Sequence, residues 1–212
     1  MPYAVKEIYY TLQGEGVNVG RPAVFLRFAG CNLWSGREAE RASAACRFCD
    51  TDFVGVDGPG GGSFPTAALL ADAVDSTWPS EAEGGNRFVV CTGGEPLLQL
   101  DSALVDLLQR RGFQVAVETN GTVCPPIGLD WVCVSPKSGV PLSVLKGDEL
   151  KLVFPQPGAE PSLFEGLQFD HFLLQPMDGP EARHNTELAV DYCRAHPKWR
   201  LSLQTHKLLG IP

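Results

Sequence analysis

The chain has 212 residues, of which 44% are hydrophobic and 20% are charged, and this is an ordinary balance for a globular protein. Its formal net charge of -8 argues against a nucleic-acid surface, because such surfaces are normally basic. No apolar run reaches the roughly 18 residues that cross a bilayer, and the start of the chain has no signal-peptide pattern. We therefore expect a single domain over residues 1–212 that is soluble and cytoplasmic, contacts no membrane and acts on a small molecule.

The hydrophobic pattern predicts strands that alternate with helices or short crossovers. Strands are expected over residues 23–29, 87–92, 114–118, 131–135, 149–154, 171–175 and 200–204. Helices are expected over residues 65–78, 102–111 and 183–196, whereas the glycine-rich stretch 58–63 reads as a flexible connector. This alternation is typical of an α/β protein with a mostly parallel sheet. We expect an abbreviated, partial (β/α) barrel of about six parallel strands with roughly three full helices.

Polar or reactive residues follow directly on most of the predicted strands. In α/β folds, ligands bind in the loops at the carboxyl ends of the parallel strands. The residues in these positions are Cys31, Thr92 to Pro96, Glu118 to Asn120, Ser135 to Lys137, Gln175 to Asp178, and His206. We expect them to surround one functional site.

Three of the seven cysteines lie in one loop, as Cys31 and the run Cys46-Arg47-Phe48-Cys49. Clustered cysteines in a reducing compartment are more often metal ligands than disulfides. Structural zinc takes four protein ligands and no histidine precedes His171, whereas three thiolates on a 4Fe–4S cluster leave one iron open. The spacing alone therefore leaves an iron–sulfur cluster, a zinc site and uncoordinated thiols as alternatives. Scattered cysteines such as Cys91 and Cys133 are expected to be structural.

The fourteen residues between Cys31 and Cys46 include a polar, alanine-rich segment at 35–45. Ser35 followed three positions later by Glu38 has the spacing of a capping box, and the residues after it favour helix. We therefore expect a short helical insertion that brings Cys46 back to Cys31.

The cysteine loop resembles that of the radical S-adenosylmethionine enzymes, in which it ends in Cys-x-aromatic-Cys. The segment Gly93-Gly94-Glu95-Pro96 resembles the Gly-Gly-Glu segment of that superfamily. Within the superfamily, the chain resembles the 7-carboxy-7-deazaguanine synthase family from about residue 7 to Pro212. The runs that carry this likeness are Leu12-Gln13-Gly14-Glu15-Gly16, Arg27-Phe28-Ala29-Gly30-Cys31-Asn32-Leu33, Cys49-Asp50-Thr51 and Gln204-Thr205-His206-Lys207. The superfamily usually has three residues between the first two cysteines, so the fourteen found here are a departure.

The resemblance implies that Cys31, Cys46 and Cys49 hold a catalytic 4Fe–4S cluster whose open iron binds S-adenosylmethionine. It also implies a set of residues that contact S-adenosylmethionine. These are Phe48, Cys49, Asp50, Gly93, Gly94, Glu95, Glu118, Ser135, Lys137, Gln175, Pro176, Met177 and Asp178. In this reading Glu95 and the glycine turn hold the methionine ammonium, and Glu118 binds the ribose hydroxyls.

The same resemblance implies the reaction, in which a 5'-deoxyadenosyl radical starts ring contraction of 6-carboxy-5,6,7,8-tetrahydropterin to 7-carboxy-7-deazaguanine with loss of ammonia. The implied substrate-binding residues are Leu12, Gln13, Gly14, Arg27, Thr92, His206 and Pro212. Mg2+ is expected at Thr51, and the implied partners are a flavodoxin-like electron donor and a second copy of the chain. Two other readings remain open at this point: an enzyme that makes a glycyl radical on a partner protein, and a zinc-stabilised binding module.

Overall fold

The computed structural model describes residues 2–82 and 86–212. Its strands are β1 (Tyr3–Leu12), β2 (Pro22–Phe28), β3 (Gly62–Phe64), β4 (Arg87–Gly93), β5 (Phe113–Thr119), β6 (Trp131–Val134), β7 (Lys146–Phe154), β8 (Gln168–Pro176) and β9 (Trp199–Leu201). Its α-helices are α1 (Ala67–Thr77), α2 (Ser102–Arg110), α3 (Ala182–Ala195) and α4 (Thr205–Leu209). Short 3-10 helices cover Glu38–Ser43, Pro96–Leu98 and Pro161–Leu163. None of the helices in the described part of the chain is long and apolar enough to cross a bilayer.

All nine strands of the described residues belong to one sheet, in the order β3-β1-β2-β4-β5-β6-β7-β8-β9. The run from β2 to β9 is parallel, and β1 and β3 add an antiparallel edge. The predicted α/β fold with a mostly parallel sheet is therefore confirmed. The expected number of strands was too low, because the parallel part alone has seven strands and the antiparallel edge was not predicted.

Strand β3 lies in the stretch that the sequence suggests is a flexible connector, and that prediction is wrong at its end. Gly62 pairs with Val5 and Phe64 pairs with Tyr3 across the sheet edge. A Cβ at Gly61 would lie 2.2 Å from the carbonyl oxygen of Lys6, so the glycine run permits this close backbone approach to β1.

The three long helices form where the sequence predicts them, and side-chain caps mark the start of two of them, α1 and α2. The Thr66 side chain accepts a hydrogen bond from Leu69 N at the start of α1, and the Asp101 side chain accepts one from Leu104 N at the start of α2. Helix α4 was not predicted, because five residues are too few to show a helical period.

The core lies on both faces of the sheet, which explains why its inner strands are apolar almost throughout. Strand β4 buries five consecutive residues from Phe88 to Thr92. One apolar cluster joins the strands from β1 to β5 with α1 and α2, and a second joins β6, β7 and β8 with α3. This packing fixes the strand ends, from which the candidate site is built.

The insertion at 35–45 contains a 3-10 helix rather than a capped α-helix. Its N-cap residue is Arg37, which makes no side-chain capping bond, so the predicted Ser35–Glu38 capping box does not form. Instead, the Ser35 hydroxyl donates to the carboxylate of Glu40. Because its hydroxyl is bonded to Glu40, Ser35 does not cap the start of the helix.

Candidate active site

A cavity of about 410 Å³ opens at the carboxyl ends of the parallel strands. Its walls come from the ends of β2, β4, β5, β6, β7 and β8, from the cysteine loop, and from the C-terminal segment after β9. Every residue predicted to bind the cluster, S-adenosylmethionine, Mg2+ or substrate lines this cavity, with the exception of Glu95. Residues that are far apart in sequence are thus brought to one place.

The three loop cysteines all face this cavity, and two of the thiols interact directly. The interaction between the thiols of Cys46 and Cys49 lowers the pKa of Cys49 to about 6 and raises the pKa of Cys46. Burial raises the pKa of Cys31, whose sulfur accepts a hydrogen bond from Leu33 N at 3.4 Å. The thiols are therefore available as a set of soft ligands on one wall.

These thiols fit a cluster better than a closed zinc site. Within residues 2–82 and 86–212, no group of three His, Cys, Asp or Glu residues is arranged to hold one metal ion. Structural zinc takes four protein ligands, whereas three thiolates can hold a 4Fe–4S cluster and leave one iron open. Three thiols on one cavity wall are the donor set that such a cluster needs.

The glycine turn after β4 packs directly against the first cysteine. A Cβ at Gly94 would lie 2.2 Å from the carbonyl oxygen of Gly30 and 2.7 Å from the Cβ of Cys31. The backbone N–H of Glu95 donates to the same Gly30 oxygen at 3.0 Å. Only glycine permits this approach, which brings the Gly-Gly segment and the cysteine loop together.

The Glu95 side chain is the one predicted site group that the structure does not bring to the cavity. It is fully buried, and its carboxylate accepts hydrogen bonds from Leu97 N at 2.9 Å, Thr119 Oγ1 at 2.8 Å and Asn120 N at 2.8 Å. Burial raises its pKa. The carboxylate therefore links the ends of β4 and β5, and in this conformation it does not face a ligand.

This position leads to a stability prediction. We expect Glu95→Gln to lower the free energy of unfolding by about 1–3 kcal/mol, because the amide NH2 cannot accept a bond from the donors it would face. Urea unfolding followed by circular dichroism measures the change, with Glu81→Gln on an exposed turn as the control. Equal stability of the two variants would contradict the linking role.

Arg27 enters the cavity from β2 and is held by two neighbours on β1. Its Nε donates to Glu7 Oε1 at 2.7 Å, and its Nη2 donates to the Tyr9 hydroxyl at 2.9 Å. The side chain is 17% exposed, so the lone Arg in this apolar strand points into the site and not to bulk solvent. Thr92, on the neighbouring strand β4, is paired in register with Arg27.

An ion network in the cavity wall, centred on Lys151, was not predicted from the sequence. The Lys151 ammonium contacts the carboxylates of Glu15 and Glu118, and the Gln13 amide donates to Glu118 Oε1 at 3.1 Å. Burial of Glu15 opposes its ionisation, but the Lys151 charge prevails and lowers the pKa of Glu15 to about 2. The available signal was Lys151, the single charged residue in the otherwise apolar stretch 150–154 of β7.

Lys137 connects two groups of the predicted S-adenosylmethionine site. Its Nζ donates to the Ser135 carbonyl at 2.8 Å and to the Ser135 hydroxyl at 2.7 Å, and it lies 5.8 Å from the centroid of the Phe48 ring. Burial lowers the pKa of Lys137. On the next wall, Gln175 Oε1 accepts a hydrogen bond from the Ser202 hydroxyl at 3.1 Å.

The C-terminal segment closes one side of the cavity. The N–H and the hydroxyl of Thr205 both donate to the Gly14 carbonyl at 2.9 Å. The His206 ring lies over the same glycine, where a Cβ would be 2.2 Å from Nδ1. The Pro212 carbonyl oxygen accepts a bond from the Thr11 hydroxyl at 3.0 Å. The predicted substrate residues of β1 and of the C-terminus are therefore adjacent.

Lys207 joins this segment to the two loops opposite. Its Nζ lies 2.6 Å from a carboxylate oxygen of Asp50 and 2.6 Å from one of Asp178. Both aspartates were predicted to lie in the cofactor site, whereas no role was predicted for Lys207. Nothing in the local sequence signals a bridge between residues so far apart.

Comparison with known proteins gives relatives over the whole chain. No protein-family model matches it. The 7-carboxy-7-deazaguanine synthase of Bradyrhizobium diazoefficiens is 63% identical over 211 residues, and that of Bordetella pertussis is 62% identical over 212, each covering 100% of both chains. The crystal structure of QueE from Escherichia coli matches with a TM-score of 0.70 and 28% identity, covering 97% of this chain and 95% of that one.

A mostly parallel α/β sheet, a three-thiol cavity wall and these relatives define the class: the chain is a radical S-adenosylmethionine enzyme that uses a 4Fe–4S cluster. Within that class the identities extend from end to end. The chain belongs to the 7-carboxy-7-deazaguanine synthase family. The predicted family is therefore confirmed, and the glycyl-radical and zinc-module readings are set aside.

Proposed function

We propose that this chain contracts the ring of 6-carboxy-5,6,7,8-tetrahydropterin to 7-carboxy-7-deazaguanine, with loss of ammonia, in the cavity at the carboxyl ends of its strands. As a member of its family it performs the ring-contraction step of queuosine biosynthesis. One observation carries the assignment to this cavity: three loop thiols and the held Arg27 guanidinium lie on its walls. When bound, the cluster and S-adenosylmethionine supply the one-electron chemistry that starts the reaction.

In this proposal Cys31, Cys46 and Cys49 hold the cluster on one wall. S-adenosylmethionine lies against the glycine turn and the adjoining strand ends. Its contacts are Phe48, Asp50, Gly93, Gly94, Glu118, Ser135, Lys137, Gln175, Pro176, Met177 and Asp178. The support is that all of these residues line the same cavity. Glu95 acts indirectly, because its hydrogen-bonded carboxylate fixes the turn that carries the two glycines.

The substrate lies in the same cavity, where Arg27 binds its carboxylate. A guanidinium suits a planar carboxylate because it donates two parallel hydrogen bonds. Leu12, Gln13, Gly14, Thr92, His206 and Pro212 complete this wall. We assign Mg2+ to the Thr51 hydroxyl together with substrate oxygens, since Mg2+ keeps several waters and needs few protein ligands.

The remaining expectations are proposals with separate support. A single domain that curves into a partial barrel is supported by the bond from Gly16 N to the Ser202 hydroxyl at 2.9 Å, which joins the loops after β1 and β9. A cytoplasmic location is supported by seven free cysteines, which a reducing compartment preserves. The flavodoxin-like donor and the homodimer rest on the family resemblance alone.

The experiment that tests this function is an anaerobic assay of the reconstituted enzyme with reductant, S-adenosylmethionine and the carboxylated tetrahydropterin. We expect 7-carboxy-7-deazaguanine and ammonia, identified by mass spectrometry and by an ammonia assay. Protein without iron is the control and is expected to form neither. Absence of the deazapurine from fully loaded enzyme would refute the assignment.

A further inference from the structure

The insertion between Cys31 and Cys46 is the part of the cysteine loop that the proposed function leaves unexplained. It is folded as a compact unit, since Ala45 N donates to the Leu33 carbonyl at 3.2 Å and so brings its two ends together. Its 3-10 helix, Glu38–Ser43, lies against the rest of the loop. The insertion is therefore in a position to act on the cysteines themselves.

One side chain, Arg41, joins the insertion to the loop that carries the second and third cysteines. Its Nη1 donates to the carbonyl oxygens of Arg47 and Cys49, both at 2.9 Å. Its Nε donates to the two carboxylate oxygens of Glu38, both at 2.8 Å. The guanidinium thus fixes the Arg47 and Cys49 carbonyls of the Cys46–Cys49 turn, and Glu38 in turn fixes the guanidinium.

A buried tryptophan sets the plane in which that guanidinium lies. The Arg41 guanidinium carbon is 4.1 Å from the centroid of the Trp34 ring. The indole Nε1 donates to the Arg37 carbonyl at 3.2 Å, and the ring makes an edge contact with Phe53 at 5.6 Å. Trp34 is 8% exposed and Phe53 is 2% exposed, so this support is continuous with the protein interior.

We propose that the insertion supports the cluster loop from outside and that Arg41 is its positioning residue. This inference rests on the proposed function, because it takes Cys46 and Cys49 as cluster ligands. Arginine suits the task, since its planar guanidinium donates from Nη1 to two carbonyls and from Nε to a carboxylate while its face stacks on an aromatic ring. By holding the Arg47 and Cys49 carbonyls on the insertion side, Arg41 keeps both thiols directed toward the cavity.

The test compares anaerobically reconstituted parent enzyme with Arg41→Gln, Arg41→Lys and Arg37→Gln. Arg37 is the matched control, because it belongs to the same insertion, is 77% exposed, and has Glu40 as its ion-pair partner. The readouts are iron per chain and the rate at which an iron chelator removes the cluster. We expect Arg41→Gln to lose iron at least about tenfold faster than the parent, since losing outer partners of metal ligands costs about 10–100-fold in affinity.

Arg41→Lys keeps the charge but lacks both the second donor that binds Glu38 and the planar face that stacks on Trp34, so it is expected to lose iron nearly as fast as Arg41→Gln. Thermal unfolding of the cluster-free proteins is expected to be the same for the parent and all variants. Equal iron loss from Arg41→Gln and the parent would overturn the inference, and so would equal acceleration in Arg37→Gln. A lower unfolding temperature of cluster-free Arg41→Gln would overturn it as well. A parent enzyme that binds no iron would instead refute the proposed function.

Discussion

Replacing Cys46 with alanine is expected to lower product formation by more than about 100-fold, because loss of groups that only hydrogen-bond to metal ligands already costs about 10–100-fold in metal affinity. The Cys46 thiol is buried and faces the cavity, so its removal takes away a ligand and also the neighbour that lowers the pKa of Cys49. The measurements are iron per chain after anaerobic reconstitution and the rate of deazapurine formation.

The control for this change is Cys124→Ala. Cys124 is exposed and does not line the cavity, so its removal is expected to leave both iron content and activity unchanged. Full iron content with full activity in Cys46→Ala would show that Cys46 is not a cluster ligand. Loss of activity in both variants would show that the effect does not come from the cavity.

Replacing Arg27 with glutamine is expected to weaken substrate binding by about 10–100-fold, because a hydrogen bond to a charged group is worth about 1.5–3 kcal/mol. Glu7 and Tyr9 hold the guanidinium in place. The substitution therefore removes the hydrogen bonds that the guanidinium would donate to the substrate carboxylate. Arg27→Lys keeps the charge without the fork and is expected to bind with intermediate affinity. Titration calorimetry of the loaded enzyme measures the affinity.

A substrate analogue without the carboxylate makes this test specific. The parent enzyme is expected to bind the analogue more weakly than the substrate, and Arg27→Gln is expected to bind both about equally. Arg110→Gln, on an exposed position of α2, serves as the control and is expected to retain the parent preference. If Arg27→Gln weakens binding of the analogue as much as that of the substrate, Arg27 does not recognise the carboxylate.

The parts of the fold that can be predicted from the sequence are the helices and strands whose burial follows a local sequence pattern. The apolar runs at β4 and β5 and the threonine and aspartate caps of α1 and α2 are visible in the sequence because their causes are local. Strand β3 is not visible, because it depends on a glycine run that fits against β1. The capping box at Ser35 fails for a related reason, since Glu40 competes for the hydroxyl.

The residues of the candidate site likewise divide into those that have a signal in the local sequence and those that have none. The cysteine loop and Gly93-Gly94 were found because motif spacing survives in the sequence, and both line the cavity. Lys151 and Lys207 were missed because their partners lie on other strands and loops. The position of Glu95 in the turn after β4 was predicted from the sequence. The direction of its side chain was not, because it depends on hydrogen-bond donors at the end of β5, which are distant in sequence.

The contact between Gly14 and His206 limits how this site can be redesigned. Any side chain at position 14 would enter the space of the imidazole, so an exchange at one position requires a smaller residue at the other. The C-terminal segment is bonded to the same glycine through Thr205, which prevents the ring from simply moving aside as a loop would. Libraries intended to admit a larger heterocycle should therefore vary the two positions as a pair, beginning with residue 206.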